Sequence, residues 1–554
     1  MWRGVATIVL ALCAVLAAPA SAYRLQTFRV AVSEPDELGL PVTLDTDVYL
    51  PDAPPPPGGY PLIQVYHGGG SEKTNPYDSG HAKFFADHGY ASILYTQRGH
   101  GNSDGQTGIA GPKEMRDLFD VTAWALKRFP IDRSRIALTG YSQGGLHTNL
   151  GQVWAADPAF NPYGISFQAL EPGNTPDTIL HALVPHGVAK LSFGAGILVQ
   201  SYLLGTHGRV APEIWKWTAT TAADNPALYG GAMCDVDGHD QPTSTTAQDW
   251  AFRSMGCFLG RMTPPLLWAQ AFDDSLFPPE MAIAMWRKLH RSHPEDRLYL
   301  SMGGHGAPAA PDAVERDRLS EQLAFFDHTL RGAPLDAPPI VYWTRDPAVV
   351  VPSSSYVWPA SAWRRQTTSS WPPPGTRRVT YPLGTGGSLP LSPISEDERN
   401  DSVAAALMAN TPLGTSPFPR GLPATDQPGF VASFSTKPFA KPRELSGAPV
   451  AKLSWTPASP DTQLVVQVFD EAPDGTLTLL TRGVQGVRGA APGSPLQVKV
   501  TASDTSDLIR AGHRIVTWVM AGDLGIYKPF AGSAGGVLAA GSSSRVLLPL
   551  RQRR

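Results

Sequence analysis

The sequence predicts an α/β-hydrolase sheet with a helical cap insertion, followed by an all-β, jelly-roll-like sandwich. Three observations carry this reading. Short apolar runs alternate with helical patterns as far as about residue 335, as in a parallel sheet covered by helices. The apolar run 136–139 leads straight into Gly140-Tyr141-Ser142-Gln143-Gly144, a serine on a sharp strand-to-helix turn. From about residue 332, prolines, tryptophans and short alternating runs replace the strand–helix rhythm. The domains read as 1–22 signal peptide, 23–335 catalytic domain with a cap at 174–262, and 336–554 sandwich.

The chain opens on a targeting pattern. Arg3 supplies the positive end, residues 5–18 the apolar stretch, and Ala20-Ser21-Ala22 a small-residue cleavage site. The apolar run is too short to span a bilayer, and Leu12 is too bulky to precede a lipoprotein Cys13. The expected mature chain is exported and starts at Tyr23.

Residues 24–32 and 42–50 alternate apolar with polar side chains, as two opening strands would. A proline-rich turn follows at 51–59, then a strand at 62–66 that runs into His67-Gly68-Gly69-Gly70. Residues 80–88 read as a helix and 91–96 as a strand. Leu118, Val121, Leu126 and Phe129 recur at helical spacing in 115–129. After the serine turn, 165–170 reads as a strand. Residues 174–262 break the alternation with helical apolar runs such as 191–204, too short and too polar for a membrane span. The sheet resumes at 265–271 and 297–301, and a helix at 318–330 closes it. Strands are expected at 464–469, 476–480, 496–500, 515–520 and 546–550, with 412–442 a long surface loop.

A formal charge of −3, a pI near 6.5 and scattered Lys and Arg give no ground for a nucleic-acid or anionic-membrane partner. Of three cysteines, Cys13 falls in the signal segment. Cys234 and Cys257 then favour one disulfide in an exported chain. It would close a loop of 24 residues (257 − 234 + 1) and contribute roughly 3 kcal/mol on the loop-entropy model. The aspartate-rich run 234–240 lacks calcium-loop spacing and reads as a surface turn. No metal or cofactor is expected.

A serine hydroxyl becomes a useful nucleophile when a histidine takes its proton and a carboxylate orients that histidine. With 54 glycines in the chain the Gly-x-Ser-x-Gly pattern alone is weak, and Gly101-Asn102-Ser103-Asp104-Gly105 matches it too. That second match lies in a polar stretch with no helix behind it, so Ser142 is the candidate nucleophile. In this fold the acid and the histidine follow late strands. His305, between Gly304 and Gly306, is the candidate base. Asp273 and Asp274 are the candidate acids, and Asp274 is favoured. The backbone N–H groups of Gly69 and Gln143 are candidate oxyanion donors, while His67 reads as structural. If the substrate carries an ammonium group it needs a carboxylate partner, for which Glu171 and Asp177 are candidates.

These residues resemble the X-Pro dipeptidyl-peptidase and cocaine-esterase-like serine hydrolases. The likeness runs through Arg98-Gly99-His100-Gly101-Asn102-Ser103-Asp104-Gly105, the Ser142 turn, Asp274, His305, Trp363, Trp371-Pro372-Pro373 and Val468-Phe469-Asp470 with Pro473-Asp474-Gly475. It implies ester, amide or X-Pro peptide cleavage through an acyl-enzyme, without a cofactor. In the family the acid falls three residues before the phenylalanine of Leu276-Phe277-Pro278, which selects Asp274. Some members place a tyrosine side chain in the oxyanion hole, where Gly69 offers backbone alone. The competing class is a carbohydrate- or surface-binding sandwich attached to an inert hydrolase fold, and three filled catalytic positions argue against it.

Overall fold

The computed structural model describes residues 22–190, 202, 204–223, 245–305, 311–349, 359–393, 429–522 and 526–552. The predicted signal segment up to residue 21, Cys234 and the run 234–240 lie outside them.

Strands buried on both faces of a parallel sheet read as near-continuous apolar runs, and the central strands here are mostly apolar, broken by the buried Gln64, Ser92, Thr139, Glu171 and Gln270. β1 (Tyr23–Val32) and β2 (Val42–Pro51) pair antiparallel at the edge. β3 (Tyr60–Tyr66), β4 (Ala91–Tyr95), β5 (Ile131–Tyr141), β6 (Ala169–Gly173), β7 (Leu267–Ala271) and β8 (Arg297–Ser301) complete the order β1-β2-β4-β3-β5-β6-β7-β8. From β4 onward every pairing along it is parallel.

The helices are α1 (Pro76–Asp87), α2 (Pro112–Arg128), α3 (Gln143–Trp154), α4 (Ile179–Leu183), α5 (Pro212–Ala223), α6 (Thr245–Phe252), α7 (Pro279–Leu289) and α8 (Asp312–Arg331). On one face of the sheet α1 meets α8, with Phe85 and Phe326 at 5.5 Å. On the other, α3 lies against Leu118 of α2 and Leu138 of β5 at Gly151, where a Cβ would approach both within 2.9 Å. The described part of the predicted cap contains α4, α5, α6 and a 3-10 turn at Met255–Arg261, so it is helical as expected. Among the described residues no helix is long and apolar enough to cross a membrane.

Apart from a 3-10 turn at Ala360–Ala362, the remaining described elements are strands: β9 (Ile340–Arg345), β10 (Trp363–Thr368), β11 (Arg377–Leu391), β12 (Val431–Ser435), β13 (Arg443–Gly447), β14 (Val450–Pro457), β15 (Thr462–Glu471), β16 (Leu477–Val487), β17 (Leu496–Thr501), β18 (Thr505–Ile509), β19 (Arg514–Met520) and β20 (Gly536–Gln552). β12-β19-β15-β16 form one sheet of the sandwich. The other continues the catalytic sheet, because β9 pairs parallel with β8 and then with β18. Between them lies a core that includes Leu445, Leu453, Trp455, Leu464 and Val466.

Two expectations need correction. β6 begins at Ala169 rather than 165, so its carboxyl end reaches Gly173. Residues 431–435, read as part of a loop, form β12. β11 was hidden by its prolines and glycines. Among the described residues it pairs with β20 alone and bulges near Leu383, an edge position where Pro382 and Pro390 are tolerated.

Candidate active site

β5 ends at Tyr141 and α3 begins at Gln143, which leaves Ser142 alone to make the turn. Its backbone sits at φ 58° and ψ −119°, a strained conformation for a residue with a side chain. Glycine is required on either side: a Cβ on Gly140 would lie 2.6 Å from the Gly144 carbonyl carbon, and one on Gly144 would lie 2.2 Å from the Tyr66 carbonyl oxygen. The serine is thereby held at the N-terminus of α3, where the helix dipole favours negative charge.

The Ser142 Oγ lies 2.8 Å from His305 Nε2, and His305 Nδ1 lies 2.9 Å from Asp274 Oδ2. With Nδ1 donating to the carboxylate, Nε2 is free to accept the serine proton. Asp274 is 1 % exposed. Its second oxygen accepts the N–H groups of Leu276 and Phe277, both at 2.9 Å, so every side of the carboxylate is satisfied. Phe277 also presents its ring edge-on to the imidazole at 4.9 Å.

Asp273 is not a free neighbour. Its Oδ1 accepts from Gly303 N at 2.7 Å and Gly304 N at 2.9 Å, bracing the loop that carries His305. Asn174 was not anticipated. Its side chain accepts from Ala271 N at 2.9 Å and donates to the Tyr141 hydroxyl at 2.7 Å and the Gly304 carbonyl at 3.2 Å. It therefore ties the ends of β6 and β7 to the histidine loop. A polar residue just past a strand's carboxyl end was the available signal, and the displaced start of β6 concealed it.

The glycine loop after β3 runs against the serine turn, as expected for an oxyanion site. A Cβ on Gly68 would touch Ser142 Cβ at 3.7 Å. One on Gly69 would come within 2.6 Å of the Tyr202 hydroxyl, so a larger residue there would have to displace that side chain. Tyr202, from the cap, donates to Gln143 Oε1 at 2.7 Å. Gln143 passes the chain on to Gln97 Oε1 at 2.7 Å, and Gln97 Nε2 donates to the His67 carbonyl at 2.8 Å. The loop and the turn are thus locked together. Burial, and then the adjacent His100, hold the His67 imidazole well below its usual range. Its Nε2 accepts Gln97 N at 2.9 Å, leaving the Nδ1 proton for the Gly68 carbonyl at 2.8 Å. His67 is structural.

Neither expected amine partner is available. Glu171 is 1 % exposed and sits on the α8 side of the sheet. There it accepts from the Thr139 hydroxyl and faces Arg318 Nη1 at 3.5 Å. Burial pushes its carboxyl up to about 7 against the pull of Arg318. Asp177 is equally buried and accepts from Thr178 N at 2.6 Å, with His181 Nδ1 at 3.4 Å. Glu171 is a candidate in sequence because it follows a run of strand-like residues, which says nothing of where its side chain points. The direction of the side chain decides, and strand alternation gives it only once the register is known.

Two family profiles match this chain. That of the X-Pro dipeptidyl-peptidase covers residues 39–159, and that of the X-Pro dipeptidyl-peptidase C-terminal non-catalytic domain covers 333–540. The chain belongs to the X-Pro dipeptidyl-peptidase and cocaine-esterase-like family. It is a serine hydrolase. The cocaine esterase of Rhodococcus sp. (strain MB1 Bresler) is 24 % identical, over 90 % of this chain and 91 % of that protein. Two solved structures share the fold. An aminopeptidase from the marine sediment archaeon Thaumarchaeota archaeon has a TM-score of 0.69 at 15 % identity, covering 96 % of each chain. An α-amino acid ester hydrolase has a TM-score of 0.64 at 15 % identity, covering 97 % of this hydrolase and 98 % of that chain. An inert catalytic half is not favoured.

Proposed function

We propose that this hydrolase cleaves an acyl ester, or an amide of similar shape, through an acyl-enzyme on Ser142. The observation that carries the reading is the Ser142–His305–Asp274 chain, with links of 2.8 and 2.9 Å at a strained turn. His305 Nε2 takes the hydroxyl proton as the oxygen attacks the carbonyl, and then gives it to the departing alkoxide or amine. Water repeats the sequence, releasing the acid and restoring Ser142. Asp274 holds the imidazole tautomer, and the N–H groups of Gly69 and Gln143 receive the oxyanion.

Release of dipeptides would call for a carboxylate facing the substrate amine, and Glu171 and Asp177 are both committed elsewhere. That favours the ester. A paired assay tests it: a short-chain nitrophenyl ester and an Ala-Pro-anilide on one preparation. The ester is expected to have the higher kcat/KM by at least about tenfold, and preference for the anilide would overturn the substrate assignment.

We also infer that the mature chain is exported, beginning at Tyr23 with Cys234 joined to Cys257. The signal pattern supports the export, and the two cysteines left once it is removed support the pairing. Thiol titration of the denatured, unreduced mature protein is expected to find no free thiol, and two would exclude the disulfide.

A further inference from the structure

The loop that carries Asp274 faces His305 on one side and the C-terminal sandwich on the other. Leu276 and Phe277 are buried in one apolar cluster with Val188 of the segment after α4 and with Val465, Val484 and Phe530 of the sandwich. The sandwich also grips that segment directly, because Lys528 N donates to the Ala189 carbonyl at 2.7 Å. The next residue is Lys190, 2 % exposed. A buried ammonium is costly unless its donors are used. Lys190 Nζ donates to the Ser275 carbonyl at 2.8 Å and the Leu276 carbonyl at 3.0 Å.

Those two carbonyls belong to the same peptide groups whose N–H donors, on Leu276 and Phe277, hold Asp274. A peptide group is planar, with its C=O and N–H pointing to opposite sides. Fixing the oxygen therefore fixes the hydrogen. A cation on the carbonyl also polarises the N–H and strengthens its bond to the carboxylate.

We propose that Lys190 is a positioning residue for the catalytic triad, acting on Asp274 through the Ser275–Leu276 and Leu276–Phe277 peptide groups and anchored by the C-terminal sandwich. This rests on the triad reading above. Burial lowers the ammonium to about 8, against the pull of Glu280 on α7 and of Asp274, while Arg482 on β16 pushes it further down. His181 on α4 and the nearby His186 also interact with it. Lys190 is therefore charged at neutral pH and loses its charge as the pH rises through about 8.

The test compares Lys190→Met and Lys190→Arg with wild type on the nitrophenyl ester, with thermal denaturation as a check on folding. A cavity of about 50 Å³ beside Lys190 leaves room for a guanidinium. Lys190→Met is expected to lose about 10²-fold in kcat, with KM little changed, because the substrate site is untouched. Lys190→Arg, which stays charged, is expected to recover most of that loss. The wild-type kcat is expected to fall above pH 8, and Lys190→Arg to lack that fall. A folded Lys190→Met within about threefold of wild type in kcat overturns the proposal. So does an alkaline fall that is the same in wild type and Lys190→Arg, a comparison that stands even where Lys190→Met does not fold. Turnover that survives Ser142→Ala would instead overturn the triad reading, so the two failures are distinguishable.

Discussion

Ser142→Ala is expected to lower kcat by on the order of 10⁶ while the protein stays folded. The hydroxyl lies 2.8 Å from His305 Nε2 at the serine turn, and alanine removes the nucleophile without disturbing Gly140 or Gly144. The matching control is Ser103→Ala. The Ser103 hydroxyl is fully buried, accepts from Asp45 N at 2.9 Å and donates to the Thr96 carbonyl. Its removal leaves the Asp45 amide without its acceptor, at a cost of about 1–3 kcal/mol in stability. Ser103→Ala should therefore melt earlier and yet keep turnover within about tenfold. Steady-state kinetics with thermal denaturation of both variants checks the pair. Turnover lost in Ser103→Ala and kept in Ser142→Ala would exchange their roles.

Asp274→Asn is expected to cost on the order of 10⁴ in kcat. The amide oxygen could still accept from Leu276 and Phe277, which would turn the NH₂ toward His305. Nδ1 would then have to accept, the proton would move to Nε2, and the imidazole could no longer take the serine proton. Asp273→Asn keeps an oxygen for Gly303 and Gly304 and loses only the charge on it. A smaller loss, about 10- to 100-fold, is expected there because a neutral acceptor braces the histidine loop less firmly. Kinetics of the two variants on the nitrophenyl ester decides between them. A larger loss in Asp273→Asn would move the triad acid to that residue.

The serine turn was legible because its constraints are local. Gly140 meets Gly144, Gly144 meets the end of β3, and Ser142 separates a strand from a helix, all within a pattern that a linear reading detects. The same holds for the alternation of strands and helices up to residue 335, since strands buried on both faces of a parallel sheet are mostly apolar. His305 between glycines after the last catalytic strand was readable on similar grounds. Among the strands not anticipated, β11 was hidden because edge pairing permits the prolines that forbid a central strand.

By itself, then, the sequence determined the fold class and singled out a candidate nucleophile, a candidate base and a choice of two adjacent acids. Only the tertiary structure gave the two aspartates different tasks, one orienting the imidazole and the other bracing its loop. Hydrogen bonds across 30 residues of chain are invisible to spacing. Only the tertiary structure withdrew Glu171, because the register of β6 against β5 points its side chain at Arg318 and away from the serine. Lys190 and Tyr202 came to light for the same reason. Each acts on backbone or side chains far away in sequence, and a single charge or ring in an apolar stretch looks the same whether it faces solvent, core or a catalytic loop.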